Sequence, residues 1–196
     1  MLAFSRITSL LLFVLSLSFL TCALPTSVGH SNALATRDQG AELLKICADL
    51  EVDVKAKVDA IAKVDLSVVV LADVQTQVNG IIGTVNTATK AIAAIGLNLD
   101  IDVNVRAQIA AHIAVVIKLI VNLCITLIAK LGVTVLLSLL IQVDLCLKGL
   151  LIAVKGVVVG LLAVVVELLA GITVKVLADV HLTLIVNILA PLGLAL

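Results

Sequence analysis

Residues 118–142 read KLIVNLCITLIAKLGVTVLLSLLIQ, and the placing of their few polar side chains decides the fold class. Lys118, Asn122, Thr126 and Lys130 recur every four positions, and Thr134, Ser138 and Gln142 take up the same interval after Gly132. A half-exposed strand is polar at every second residue, so the midpoints between these positions should be polar too. They are apolar instead: Ile120, Cys124, Ile128, Leu136 and Leu140. Val and Ile favour strands by propensity, yet spacing of four with apolar midpoints describes one face of a helix. The pattern returns in Glu167, Gly171, Lys175, Asp179, Thr183 and Asn187, set against apolar Leu169, Leu177, Ile185 and Leu189. Asp144, Thr173 and His181 are the polar exceptions among the midpoints. A stripe at period four drifts by about 40° per step on a helix of 3.6 residues per turn. One straight rod cannot keep it in line, so shorter helices are expected, broken at Gly132, at Gly149 or Gly156, and at Gly171.

Upstream, Val54, Val58, Ile61, Val64, Val68, Leu71, Val74 and Val78 advance by threes and fours, a core-facing helical stripe. Asp49, Asp53, Asp59, Lys63 and Asp73 fall outside it. Asn79-Gly80 reads as a stop, followed by a helix from about Thr84 to Ala94 that ends at Gly96. Leu97, Leu99, Ile101, Val103 and Val105 then alternate with polar residues, a strand signal too isolated to build a sheet. An extended linker leading into a helix capped near Asp102 or Asn104 accounts for it. The fold expected is all-α: a single compact bundle of about five or six short, very aliphatic helices. Val70 to Val74 and Val176 to Val180 share a short echo that does not amount to a repeat.

The first residues have a different purpose. Arg6 supplies a positive start, Leu10 to Leu20 (LLLFVLSLSFL) an apolar run of 11 residues, and Thr21-Cys22-Ala23 small residues for cleavage. That is a secretory signal, too short for a spanning helix. The expected division is a signal peptide over 1–23, a flexible tail or short pro-segment over 24–37, and a helical domain over 38–196. Cleavage after Ala35 is the alternative to cleavage after Ala23.

Composition limits what the secreted part can do. Phe4, Phe13 and Phe19 all lie in the signal, and the chain has no Trp or Tyr. Base stacking, sugar stacking and cation–π capture need rings that the domain lacks, which argues against nucleic acid and against a carbohydrate site built on aromatics. Residues 38–106 carry 10 acidic and 6 basic side chains, and residues 107–196 carry 3 and 5. Neither part has the basic surplus that a phosphate backbone requires. A more charged first part is followed by a strongly hydrophobic second part.

Chemistry is sparse along the chain. Asp100-Ile101-Asp102-Val103-Asn104 begins like a calcium loop, but Val105 stands where Gly is needed and Ala111 where Glu is needed. A helix start is the simpler reading. His112 and His181 have no Cys, Asp or Glu at ligand or triad spacing, since Asp179 points to another face from His181. Ser67 and Ser138 sit in apolar helical patterns without a Gly-rich elbow. No catalytic residue, metal site or cofactor is expected.

Three cysteines follow the signal, and in an oxidising compartment an odd count suggests one bridge and one leftover thiol. Cys124 and Cys146, on helices separated at Gly132, are the favoured pair, with Cys47 left over; the alternative is that all three are small buried hydrophobes. Gly156 and Gly160 form a small-xxx-small motif of the kind that lets helices pack closely.

A bilayer span wants about 20 apolar residues, and a mid-helix Lys or Asp costs about 3 kcal/mol. The longest strongly apolar stretch without a charge after the signal is Leu182 to Leu196, which contains Pro191. Elsewhere Lys118, Lys130, Asp144, Lys148, Lys155, Glu167, Lys175 and Asp179 interrupt the apolar runs. A soluble or self-associating amphiphile is therefore preferred to an integral membrane protein, with membrane association left open.

The signal, the charged stretch from Glu42 to Asp73, the hydrophobic stretch from Ile109 to Leu196 and the few cysteines together form a recognisable layout. In it the chain resembles the secreted hyphal-surface proteins of mushroom-forming fungi, which support aerial growth and attachment. Hydrophobins are excluded, because their eight-cysteine framework is absent. The resemblance implies a structural protein of the cell wall or extracellular matrix. Expected function is thus non-enzymatic: a secreted amphiphile that self-associates or coats an interface, whether lipid, wall polymer or air and water. A lipid-binding helical carrier and a membrane-inserted or pore-forming protein are the alternatives.

Overall fold

At Gly132 the backbone takes a φ of 84°, a left-handed value natural to a residue without Cβ, and the chain turns there between its two most apolar long helices. A computed structural model describes residues 30–63, 71–169 and 171–194, with side chains from Asp38 onward. The signal peptide, the cleavage site at Ala23, and Val64, Ser67 and Val68 lie outside the described residues. The helices are α1 (His30–Ala62), α2 (Leu71–Ile95), α3 (Val103–Leu131), α4 (Val133–Val157), α5 (Leu161–Leu168), α6 (Val174–Asp179) and α7 (Thr183–Leu189). A 3-10 turn, Ala190–Leu192, follows α7. No strand occurs among the described residues, so the fold is all-α as the spacing indicates. Contacts group Thr36–Leu196 into one compact unit.

Seven helices among the described residues replace the expected five or six, and α1 to α4 are long, at 33, 25, 29 and 25 residues. The difference lies with the glycines. Helix α2 runs straight through Asn79, Gly80 and Gly83, where the sequence suggests a stop. A glycine inside a helix costs only about 1 kcal/mol, and α2 buries an unbroken stripe of Val74, Val78, Ile81, Val85, Ala88 and Ile92. Burial at roughly 1.5–3 kcal/mol per large aliphatic side chain outweighs the local cost. Gly149 likewise lies within α4. Gly96, at φ of 129°, follows the last residue of α2, and Gly171, at φ of 90°, lies in the turn between α5 and α6. The segment 24–37, expected to be a flexible tail, is helical from His30, and Ala35 sits within α1.

Local capping fixes two starts. Asp102 accepts a hydrogen bond from Asn104 N at 2.8 Å and opens α3, as the linker reading anticipates. Thr173 accepts from Val176 N at 3.3 Å and opens α6. The extended linker before α3 is tied down by Asn98 N donating to Gly156 O and Leu99 N donating to Val157 O.

The long helices stack in a consistent order. Gly40 meets Ile101 and Glu51 meets His112, so α1 and α3 run side by side in the same direction. Cys146 approaches Ile82 and Gly149 approaches Thr89, which sets α2 and α4 in parallel. Lys57 and Ala60 line one groove with Gln77 and Gly80, while Ile46 and Asp53 line another with residues from Gly80 to Ala91, so α1 and α2 are antiparallel. Helix α5 packs on α3, and α7 packs on α4. Cys146 faces α2 while Asp144, two positions and about 200° away, faces α7. The α3–α4 pair is therefore a middle tier, flanked by α1–α2 and by the short C-terminal helices.

That placing explains its composition, because helices flanked on two sides need apolar residues over a wide arc. The core is aliphatic, with Ile109, Ile113, Ile117, Leu147, Leu150 and Leu161 among its fully buried side chains. Thr126, Lys130, Thr134, Ser138 and Gln142 point outward or lie half-buried at the edge, as do Glu167, Lys175, Asp179, Thr183 and Asn187. The polar stripe is the solvent edge of the stack.

Candidate functional surface

The buried interior offers little space. The gap enclosed by α2, α3 and α4 holds about 10 Å³ and is lined by aliphatic side chains and two cysteines, Cys124 and Cys146. That is at or below the room one water molecule needs. Cys47, Cys124 and Cys146 are all free and buried, so the expected Cys124–Cys146 bridge is not made and Cys47 is one of three thiols rather than the leftover. Cys146 turns toward α2, its Sγ donating to Ile82 O at 3.7 Å, instead of toward Cys124. Burial pushes all three thiols up from 9.0 to about 12. At neutral pH they are protonated and behave as small hydrophobes rather than nucleophiles.

The polar exceptions of the sequence have structural places. Asp144 is 3 % exposed on α4 and accepts from Leu184 N at 2.8 Å and from Ile185 N at 3.1 Å. Its carboxylate thus caps the first turn of α7 from another helix, satisfying donors that would otherwise be orphaned. His112, which has no acidic neighbour in sequence, meets Glu51 at 2.6 Å (Nδ1 to Oε2) across the α1–α3 contact. The pair is about 30 % exposed and bridges two helices. No local signal could have found it, because the partners lie 61 residues apart. His181 is exposed in the α6–α7 turn with φ of 59°. Ser138 is exposed on α4, and Asp100, Asp102 and Asn104 sit exposed at the start of α3. Among the described residues no group of three His, Cys, Asp or Glu is placed to hold a metal ion.

Gly156 and Gly160 do not act as one packing motif. Helix α4 ends at Val157, and Gly160, at φ of 78°, precedes α5 with open space around it. Gly156 does admit a close neighbour: a Cβ there would lie 3.3 Å from Leu97 Cδ2. That neighbour comes from the linker rather than from a helix.

What the molecule presents outward is aliphatic. Leu137, Ile141, Leu145 and Ile152 stand half exposed along α4, and Ile125 stands exposed on α3. Leu97, Val103 and Val159 at the turns and Val52 on α1 are exposed as well. An open groove of about 530 Å³ runs between α1 and α2, with Asp49, Asp53, Gly80, Gly83, Thr84 and Thr87 among its lining residues. The Thr84 and Thr87 hydroxyls already donate to Gly80 O and Gly83 O, which leaves the Asp49 and Asp53 carboxylates as the charged groups of the groove. Helices α3 and α4 are each long and apolar enough to cross a membrane, with half of their apolar windows buried inside the fold. Compared with protein-family models, curated proteins and solved structures, the chain matches none.

Proposed function

We propose that this chain is a secreted, non-enzymatic, surface-active structural protein that coats an interface or associates with its own copies. The observation that carries the reading is the row of half-exposed aliphatic side chains on α4, joined by exposed Leu97, Val103 and Val159. Exposed aliphatic side chains of this kind find cover in another copy, a lipid, a wall polymer or an air–water interface. The secretory signal over 1–23 supports placement outside the cell, and the layout shared with hyphal-surface proteins of mushroom-forming fungi supports a wall or matrix role. The acidic side chains of α1 keep the molecule hydrated during secretion.

Tensiometry and sedimentation of the purified secreted chain test the proposal. Lowered surface tension, or assemblies larger than a monomer, are expected. A strictly monomeric chain without surface activity overturns the reading. Insertion into a bilayer is a second reading, favoured by the length and apolarity of α3 and α4; retention in the pellet after carbonate extraction would establish it instead. A carrier for acyl chains would have to open its core, because the interior gap holds only about 10 Å³.

A further inference from the structure

We infer that the outward face of α4 is the surface on which this protein settles onto an anionic lipid layer, an inference that rests on the interfacial reading and narrows it. Leu137, Ile141, Leu145, Lys148, Ile152 and Lys155 follow one another at steps of four, four, three, four and three, so they share one helical face. Leu137, Ile141, Leu145 and Ile152 are 43 %, 49 %, 54 % and 53 % exposed. Between the first and last of them α4 extends about 22 Å at 1.5 Å per residue. The face lies between the flanks taken by α2 and α7, and the described residues leave it uncovered.

Its charge selects the partner. Asp144 is the single acidic residue on α3 and α4, and it is buried beneath α7. Lys148 and Lys155 therefore stand among the aliphatic side chains without an exposed carboxylate on either helix. Lysines in such a row lay their methylene stems along the apolar surface and hold their ammonium groups at headgroup level. The exposed carboxylates of the first tier, among them Glu42, Asp49, Asp53 and Asp59, gather on α1, where they outnumber Lys45, Lys55 and Lys57 and leave that helix net acidic. A negatively charged layer attracts the α4 face and repels α1, which orients the molecule as well as binding it.

A second copy fits the same face less well. Two α4 faces brought together oppose lysines to lysines with no acidic partner. The four half-exposed side chains offer on the order of 350 Å² of apolar area, below the ~800 Å² per partner of a standard interface. The acidic α1 of another copy would match the charge, but Val52 is the sole large aliphatic side chain exposed on it among the described residues. A lipid layer needs no matching relief.

Vesicle flotation with the secreted chain tests this, using phosphatidylcholine vesicles with and without one third phosphatidylglycerol. Binding should be about ten-fold tighter to the anionic vesicles and should weaken as salt is raised. The pair Ile141→Gln with Leu145→Gln, and separately the pair Lys148→Glu with Lys155→Glu, should each lower that binding about ten-fold while helicity by circular dichroism stays unchanged. Val52→Gln should leave it intact. Equal binding to both vesicle types, full binding by either double variant, or an equal loss with Val52→Gln overturns the inference. A chain that ignores vesicles yet lowers surface tension also overturns it and leaves the interfacial reading standing. A chain that neither lowers surface tension nor assembles removes both.

Discussion

Helices α2 and α4 are both 25 residues long and run in parallel, yet their sequences meet different demands. The six buried positions of α2, at 74, 78, 81, 85, 88 and 92, each have a buried counterpart 62 residues later in α4, at 136, 140, 143, 147, 150 and 154. Helix α4 adds Leu139, Asp144, Cys146, Leu151 and Val157 to that stripe. One flank of burial suffices for an outer helix, which can then carry Asn79, Gly80, Gly83 and four threonines elsewhere. A helix held between neighbours needs a wider apolar arc, and its remaining face inherits the same aliphatic vocabulary. The exposed row on α4 is the part of that vocabulary which no described neighbour covers. Extreme hydropathy thus reflects position in the stack before it reflects any affinity for a membrane.

The contrast can be broken at its deepest point first. Leu150 is fully buried in α4, where the matching α2 position is Ala88. Leu150→Ala, which gives α4 the side chain α2 carries, should destabilise the fold by about 3 kcal/mol in urea unfolding; a loss under about 1 kcal/mol would mean that α4 is not gripped from both sides. Asp144→Asn comes next. It removes the charge and one of two acceptors from the cap on α7, and should cost about 2 kcal/mol, with hydrogen exchange rising at Leu184 and Ile185. Unchanged protection at those two amides would detach α7 from α4 and undo the middle tier. The smallest effect has the opposite sign. Gly80 lies exposed within α2, and a Cβ added there would meet nothing within 4 Å, so Gly80→Ala should stabilise by about 0.5–1 kcal/mol. A destabilising result would show that the α1–α2 groove depends on the missing side chain.

Much of the helical frame is legible in sequence. The period-four polar stripe from Lys118 onward marks the solvent edge of α3 and α4, and the Asp102 cap and the turn at Gly132 fall where local chemistry places them. Helix lengths are not legible at Asn79-Gly80 or Gly149, because a glycine weakens a helix by an amount that packing readily exceeds. The thiols suggest a bridge that the fold does not make, because spacing along the chain says nothing of which way Cys146 turns. Of the candidate surface, the residues are in plain view: Leu137, Ile141, Leu145 and Ile152 stand in an apolar run like any other. Their exposure is not.

By itself the sequence determines that the chain is helical and that its core is aliphatic, because periodicity and composition are local properties. Tertiary structure alone decides which apolar face is covered, since α4 has more aliphatic positions than its neighbours have surface. It alone turns Asp144 from an apparent break in an apolar run into the cap of a distant helix, and sets Glu51 against His112. The physical reason is common to both. Burial and long-range hydrogen bonding depend on what arrives from elsewhere in the chain, and an aliphatic side chain has the same periodicity whether it meets a neighbour or is left without one.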